Sequence, residues 1–241
     1  MIARYAFNRL KDLNLAEILS ADPMLIIESV PPDVVAIEEI LAFSGAPLVK
    51  SYQDSHRTYD EVKSLPEPKR DPNSEIIQST SSDLFFPHTD GAFMEQPYRF
   101  MALYSEHNSV EGGNSIALTR DQVFQSLTDS EREFFVAEEY DFGVKPYPIF
   151  GASEEVSTIR FNIAHIRKAI GAEGESGIAS RKLEKANALA DKIVQLSNEF
   201  QFRLEQGSLL LMDNWRTLHG RFEFDPGSGS RVFWRFRTAG R

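Results

Sequence analysis

Apolar positions fall at helical spacing near the start of the chain and in short strand-like runs through most of the rest. Leu10, Leu13, Leu15, Ile18 and Leu19 recur at helical intervals. Pro31-Pro32-Asp33 then opens a second predicted helix, where Val34, Val35, Ile37, Ile40 and Leu41 form an apolar stripe ended by Gly45-Ala46-Pro47. PLVKSY (47–52) reads as a short strand. Residues 53–74, polar and dotted with Pro66, Pro68 and Pro72, read as a long loop or flap. From about residue 75 strand-like runs dominate: 75–79, 84–90, 98–105, 114–119, 156–163, 207–213 and 230–238. Two further helices are predicted among them, one over about 120–140 with a break at Thr128-Asp129, the other over about 180–200. Short strands with helices before and between them predict a mainly β fold with helical additions, an antiparallel barrel or sandwich.

Composition narrows the class. The 241 residues are 41% hydrophobic, and 18 Phe, 7 Tyr and 2 Trp supply a bulky core, so the chain is not disordered. A formal net charge of -10 disfavours a general nucleic-acid or anionic-membrane binder. No cysteine is present, which excludes disulfides, thiolate catalysis and Cys-ligated metals. No apolar run approaches the ~20 residues that span a bilayer, and a soluble, cytoplasmic protein is expected.

Five histidines remain as candidates for chemistry: His56, His88, His107, His165 and His219. One opens a His-x-Asp triplet, His88-Thr89-Asp90, weak evidence on its own. In a strand, however, residues i and i+2 share a face, so imidazole and carboxylate would converge. Two histidines and one carboxylate on one face of a metal, with the other positions open, is the arrangement of non-heme Fe(II) oxygenases. The second histidine must come from a distant strand, and His219, in Asp213-Asn214-Trp215-Arg216-Thr217-Leu218-His219-Gly220-Arg221, is the candidate.

The order of further residues adds to this. HTDG (88–91), then GGNS (112–115), then DNWRTLHGR (213–221), then RVFWR (231–235) resembles the Fe(II)/2-oxoglutarate-dependent dioxygenases of the taurine dioxygenase and clavaminate synthase-like (TauD/TfdA) type, over roughly residues 84–238. The resemblance implies a double-stranded β-helix, or jelly roll, in one domain over 1–241: a helical N-terminal part and flap over 1–74, and a jelly-roll core with inserted helices over 75–241. It implies His88, Asp90 and His219 as iron ligands, and Arg231 as partner of the distal carboxylate of 2-oxoglutarate, assisted by the Ser115 hydroxyl where most relatives carry Thr. Arginine suits that role because its planar, permanently charged guanidinium grips a carboxylate bidentately. Related halogenases replace the ligand carboxylate by a small residue; Asp90 therefore favours hydroxylation.

The implied reaction consumes 2-oxoglutarate and O2, releases succinate and CO2, and oxidises an unactivated C–H bond of a small metabolite. Desaturation or cyclisation, or a catalytically silent ligand- or iron-sensing protein of the same fold, are the alternatives. Strand parity carries the reading to substrate. If Arg231 faces inward, so do Phe233 and Arg235, while Val232, Trp234 and Phe236 face the flanking layer. An inward arginine needs an anion, and in the resembled family the arginine at this spacing often meets the substrate's acidic group. Arg235 is therefore expected to contact an anionic or amino-acid-like substrate. No nucleic-acid or membrane partner is expected, and the 180–200 helix could serve a homodimer contact.

Other residues receive plainer expectations: His107 in a surface loop, His165 packed at a strand end, Arg160 and Asn162 on a solvated or salt-bridged face, Arg221 in a structural ion pair. Asp213 and Asn214 should cap the turn before His219, and Gly220 should supply backbone freedom behind it.

Overall fold

The computed structural model describes residues 2–65, 67–70, 76–143, 145–152, 156–173 and 177–240. Along the chain run β1 (Ala3–Ala6), α1 (Leu15–Ala21), β2 (Met24–Glu28), α2 (Val34–Leu41), β3 (Tyr59–Lys63), β4 (Phe85–His88), β5 (Phe100–Asn108) and β6 (Ser115–Thr119). There follow α3 (Arg120–Gln125), α4 (Asp129–Ala137), β7 (Glu139–Asp141), β8 (Pro146–Pro148), β9 (Phe150–Ala152), β10 (Ser157–Ile159), α5 (Ile163–Glu173) and α6 (Gly177–Ser197). The last strands are β11 (Gln201–Phe202), β12 (Leu209–Asp213), β13 (Thr217–Arg221) and β14 (Arg231–Arg237).

Two sheets form the body. The major one has the order β1-β2-β12-β5-β14-β3, and the minor one β11-β6-β13-β4. From β4 to β6 and again from β11 to β14 the chain alternates between them, which is the winding of a double-stranded β-helix; the sheets face each other as a sandwich and do not close into a barrel. Side-chain parity builds three layers of core. Met24, Ile26, Leu210, Met212 and Phe233 point inward from the major sheet and meet Ala117 of the minor one. Leu25, Ile27, Leu209, Leu211, Trp234 and Phe236 point outward beneath α1 and α2. Ile116, Leu118 and Leu218 leave the outer face of the minor sheet and pack under α3 to α6. Because both faces of both sheets are covered, polar side chains on the inner faces are buried and must find partners.

The helix over 34–41 and the Thr128 break follow the sequence pattern, with Thr128 and Thr119 each closing a capping box. Several expectations need correction. Residues 1–74 are not simply helical: β1 and β2 form a parallel pair that extends the major sheet through β12, and β3, inside the expected flap, pairs with β14. Residues 47–52 form no strand beyond a single bridge from Leu48 to Thr238. Residue 75 lies outside the described residues, and Gln78–Thr80 is a 3-10 turn. The 156–163 run is a three-residue strand that leads into α5.

Candidate metal centre

His88 ends β4, and antiparallel pairing sets it directly opposite His219 on β13. Both imidazoles therefore emerge on the inner face, with ring centroids 4.4 Å apart. Asp90 lies just past the end of β4, in a turn whose peptide is outside the strand ladder and needs its own support. That support is Asn214, which accepts from the Asp90 amide at 2.9 Å and donates to the carbonyls of Asp90 and Tyr98 at 3.0 and 2.8 Å. Behind the strand end, Thr89 donates to the Ile159 carbonyl and accepts from the Phe161 amide. Gly220 serves by its size, because a Cβ there would lie 2.5 Å from the Phe85 carbonyl oxygen and 2.9 Å from the Pro87 nitrogen. Its φ is not in the left-handed region, so clearance between β13 and β4, and not backbone freedom, is the reason for glycine.

One ligand atom from each of His88, Asp90 and His219 lies within 4.8 Å of the others, and all three residues are buried. His88 Nδ1 is 2.9 Å from the Phe86 carbonyl, a contact that protonates Nδ1 and leaves Nε2 with its lone pair. Asp90 Oδ2 and His219 Nδ1 are buried with no hydrogen-bond partner. Burial holds His88 below the usual imidazole range, and burial together with the nearby His88 pushes His219 further down. Burial would raise Asp90, but Arg235 first, then His219, His88 and Arg237, pull its carboxyl below the usual range. Two neutral imidazoles and one carboxylate, buried with a ligand atom of each within 4.8 Å of the others, fit a divalent transition ion such as Fe(II).

Beside the cluster lies a cavity whose lining includes His219, Ser115, Arg231 and Arg235. Its far end is cationic. Arg231 Nε is buried without a hydrogen-bond partner, and its guanidinium stacks 3.9 Å over the Phe233 ring. Burial, then the neighbouring Arg221 and Arg203, bring Arg231 down to about 9. No carboxylate of the described residues forms an ion pair with it, which is the environment an incoming acid would complete. Ser115, buried opposite Arg221 across β6 and β13, faces the same cavity.

Arg235 does point inward, but the premise that its charge waits for a substrate is corrected. Its Nη1 lies 3.2 Å from Asp90 Oδ1 and its Nη2 3.2 Å from Asp60 Oδ2, leaving Nε without a partner. Among the described residues Arg221 forms no close ion pair; it donates to the carbonyls of Ser81, Ser82, Asp83 and Phe222. Arg160 likewise holds the carbonyls of Met94 and Glu95 and stacks on Tyr147. His107 is in β5, paired with Val232, and His165 is on α5, its ring 5.4 Å from that of Phe93 and near enough to influence His88. Asp60 and Arg237 were missed because nothing local marks them.

Residues 7–237 match the sequence model of the taurine catabolism dioxygenase TauD, TfdA family. The chain belongs to this family. Among solved structures, this TauD/TfdA member is similar to an asparagine oxygenase in complex with Fe(II), 2S,3S-3-hydroxyasparagine and succinate (17% identity, TM-score 0.69, covering 95% of this chain and 79% of that one). It is also similar to the non-heme iron oxygenase OrfP in complex with Fe and alpha-ketoglutaric acid (14%, TM-score 0.63, 98% and 79%). A third is PvcB, an Fe, alpha-ketoglutarate dependent oxygenase from an isonitrile synthetic pathway (15%, TM-score 0.67, 98% and 82%). At these identities the likeness establishes the jelly-roll fold. No curated protein sequence matches the chain. Among the described residues, no helix is long and apolar enough to cross a membrane.

Proposed function

We propose that this protein is a 2-oxoglutarate-dependent dioxygenase that hydroxylates a C–H bond of a small, amino-acid-like metabolite. One observation carries the reading: a buried His-Asp-His cluster opens on a cavity in which Arg231 has no carboxylate partner. His88, Asp90 and His219 would hold Fe(II), and the ion would supply open coordination positions for 2-oxoglutarate and O2. Arg231, helped by the Ser115 hydroxyl, would take the distal carboxylate of 2-oxoglutarate. In the balanced reaction 2-oxoglutarate, O2 and substrate give succinate, CO2 and hydroxylated substrate.

The chain's own residues do the positioning. The two imidazoles stay neutral and the Asp90 carboxylate stays ionised, so the donor set carries one negative charge. Phe85, stacked 4.4 Å from His88, excludes water from one side. The free Nε–H of Arg235 would meet an acidic group of the substrate. The likeness to proteins described with 3-hydroxyasparagine and with (3S)-hydroxy-L-Arg supports an amino-acid-like substrate.

Anaerobic addition of Fe(II) and 2-oxoglutarate should give a weak visible charge-transfer band that is lost in Asp90→Ala. In O2 the loaded protein should form succinate in the presence of its substrate. A protein that gives the band yet forms no succinate across a broad panel of small acids and amino acids would be the silent sensing relative instead.

A further inference from the structure

Asp60 lies on β3, at the edge of the major sheet, in register with Arg235 of β14. It is 2% exposed, and both its oxygens are occupied. Oδ1 accepts from the Ser51 hydroxyl at 2.5 Å and from the Tyr52 amide at 3.1 Å. Oδ2 accepts from Arg235 at 3.2 Å and from Arg237. A carboxylate so fully engaged has little to offer a ligand, and its influence on the centre passes through the two arginines.

Both arginines also face Asp90. Arg235 Nη1 is 3.2 Å from Asp90 Oδ1, and Arg237 Nη1 is 4.0 Å from Asp90 Oδ2. Arg237 is 3% exposed in its side chain and packs on the rings of Tyr52 and Tyr98, each 4.8 Å away, which keep it from solvent. Asp60 and Asp90, the latter itself a member of the His-Asp-His cluster, together balance the two guanidiniums. Without Asp60, two buried cations would share Asp90 alone, competing with a metal ion for its oxygens and repelling it at short range.

We propose that Asp60 is a positioning residue for the metal centre: by cancelling one of the two positive charges of Arg235 and Arg237 it halves the charge that Asp90 must balance and leaves that carboxylate better able to serve a divalent ion. This rests on the reading of His88, Asp90 and His219 as metal ligands. It ties the segment around β3, which the sequence presents as a polar flap, to the charge balance of the site.

The test is Mn(II) binding to the whole chain, followed by loss of the free-ion electron paramagnetic resonance signal. Asp60→Asn should raise the Mn(II) Kd about tenfold or more, as expected for one buried charge acting on a dication. Arg237→Gln removes a cation and keeps Asp60, so it should lower the Kd about threefold or more. The double variant should return to within about threefold of wild type. The opposite signs separate charge balance from loosened structure, which weakens binding in every variant, and Arg237→Gln decides the matter even if Asp60→Asn does not fold. An Arg237→Gln Kd equal to or above wild type overturns the proposal, as does an unchanged Kd in folded Asp60→Asn. Wild type that binds no Mn(II), or that binds it equally well as His88→Ala, removes the metal assignment itself and this inference with it.

Discussion

Asn214 accepts from one backbone group and donates to two others, all buried, and every one of them lies more than a hundred residues away in sequence. Its side chain fixes the peptide that carries Asp90 and therefore one of three ligand directions. Truncation in Asn214→Ala leaves three buried backbone groups unpaired, at about 1–3 kcal/mol each before relaxation. Denaturant unfolding should show a loss of about 2–4 kcal/mol, and Mn(II) affinity should fall with it. A stability within about 0.5 kcal/mol of wild type, with unchanged Mn(II) affinity, would show that Asp90 is held by other means. The motif around Asp213-Asn214 places this asparagine before the His219 strand, so a turn-capping role is readable from sequence. Asp213 does fill it, accepting from the Trp215 amide and pairing with Arg99. The reach of Asn214 to Asp90 depends on the tertiary crossing and has no local signature.

At the scale of elements, α4 and α6 are joined by Glu131 and Lys192, whose contacts are 2.8 and 2.7 Å. Glu131 also closes the Thr128 capping box. The Lys192 ammonium, with the Thr128 amide, holds the Glu131 carboxyl down at about 2 against an ordinary 4.5. Because the folded value is the lower one, its stabilisation is present above about 4.5 and is lost as pH falls toward about 2. Partial exposure of both side chains screens the pair to about 1 kcal/mol. Glu131→Gln, which keeps a capping side chain, should lower the melting midpoint by about 2–4 °C at neutral pH. That gap should close across the acid range, and a gap independent of pH would assign it to the helix cap alone. The same scale explains what the sequence hides. Helix α2 and the capped helices have one buried stripe and read easily. Strand β2 is apolar on both faces, since a helical layer covers the outer side, so the alternation that marks a strand is absent and MLII (24–27) merges with the helix before it; β12, equally apolar, is read over 207–213 as a short uninterrupted run. Strand β3 fails for the opposite reason: YDEVK carries a buried aspartate on its inner side and charged residues elsewhere, which imitates a loop. The convergence of His88, Asp90 and His219, and the place of Arg231 and Ser115 on the adjoining cavity, were legible as positions because their order along the chain repeats that of the family. Asp60 and Arg237 were not, because their meaning lies in pairing with each other.

For the whole molecule, the contrast is between an acidic chain, net charge -10, and an interior where Arg221, Arg231 and Arg235 line one cavity and Arg237 is buried against Asp60. The sheets impose that concentration, since β13 and β14 deliver every second residue to the space between them. Arg235 and Arg237 are balanced internally, whereas Arg231, half-buried with its Nε shut away from solvent, lies near Arg221 and Arg203 with no carboxylate pair among the described residues. The fold therefore carries a desolvated charge that a bound dicarboxylate would relieve, and ligand binding should appear as global stability. Saturation at about a hundred times Kd adds about 2.7 kcal/mol per ligand, which for a chain of this length raises the melting midpoint by about 5–10 °C. Mn(II) should give one such step through His88, Asp90 and His219, and 2-oxoglutarate added to the Mn(II)-loaded protein should give a second. In Arg231→Gln the unloaded protein should be no less stable than wild type, because the unpaired buried charge is gone. The Mn(II) step should persist there and the 2-oxoglutarate step should vanish. Equal 2-oxoglutarate steps in wild type and Arg231→Gln, measured by calorimetry, would move the cosubstrate's carboxylate to another cation, and Arg221, on the same cavity wall, would be the next to replace.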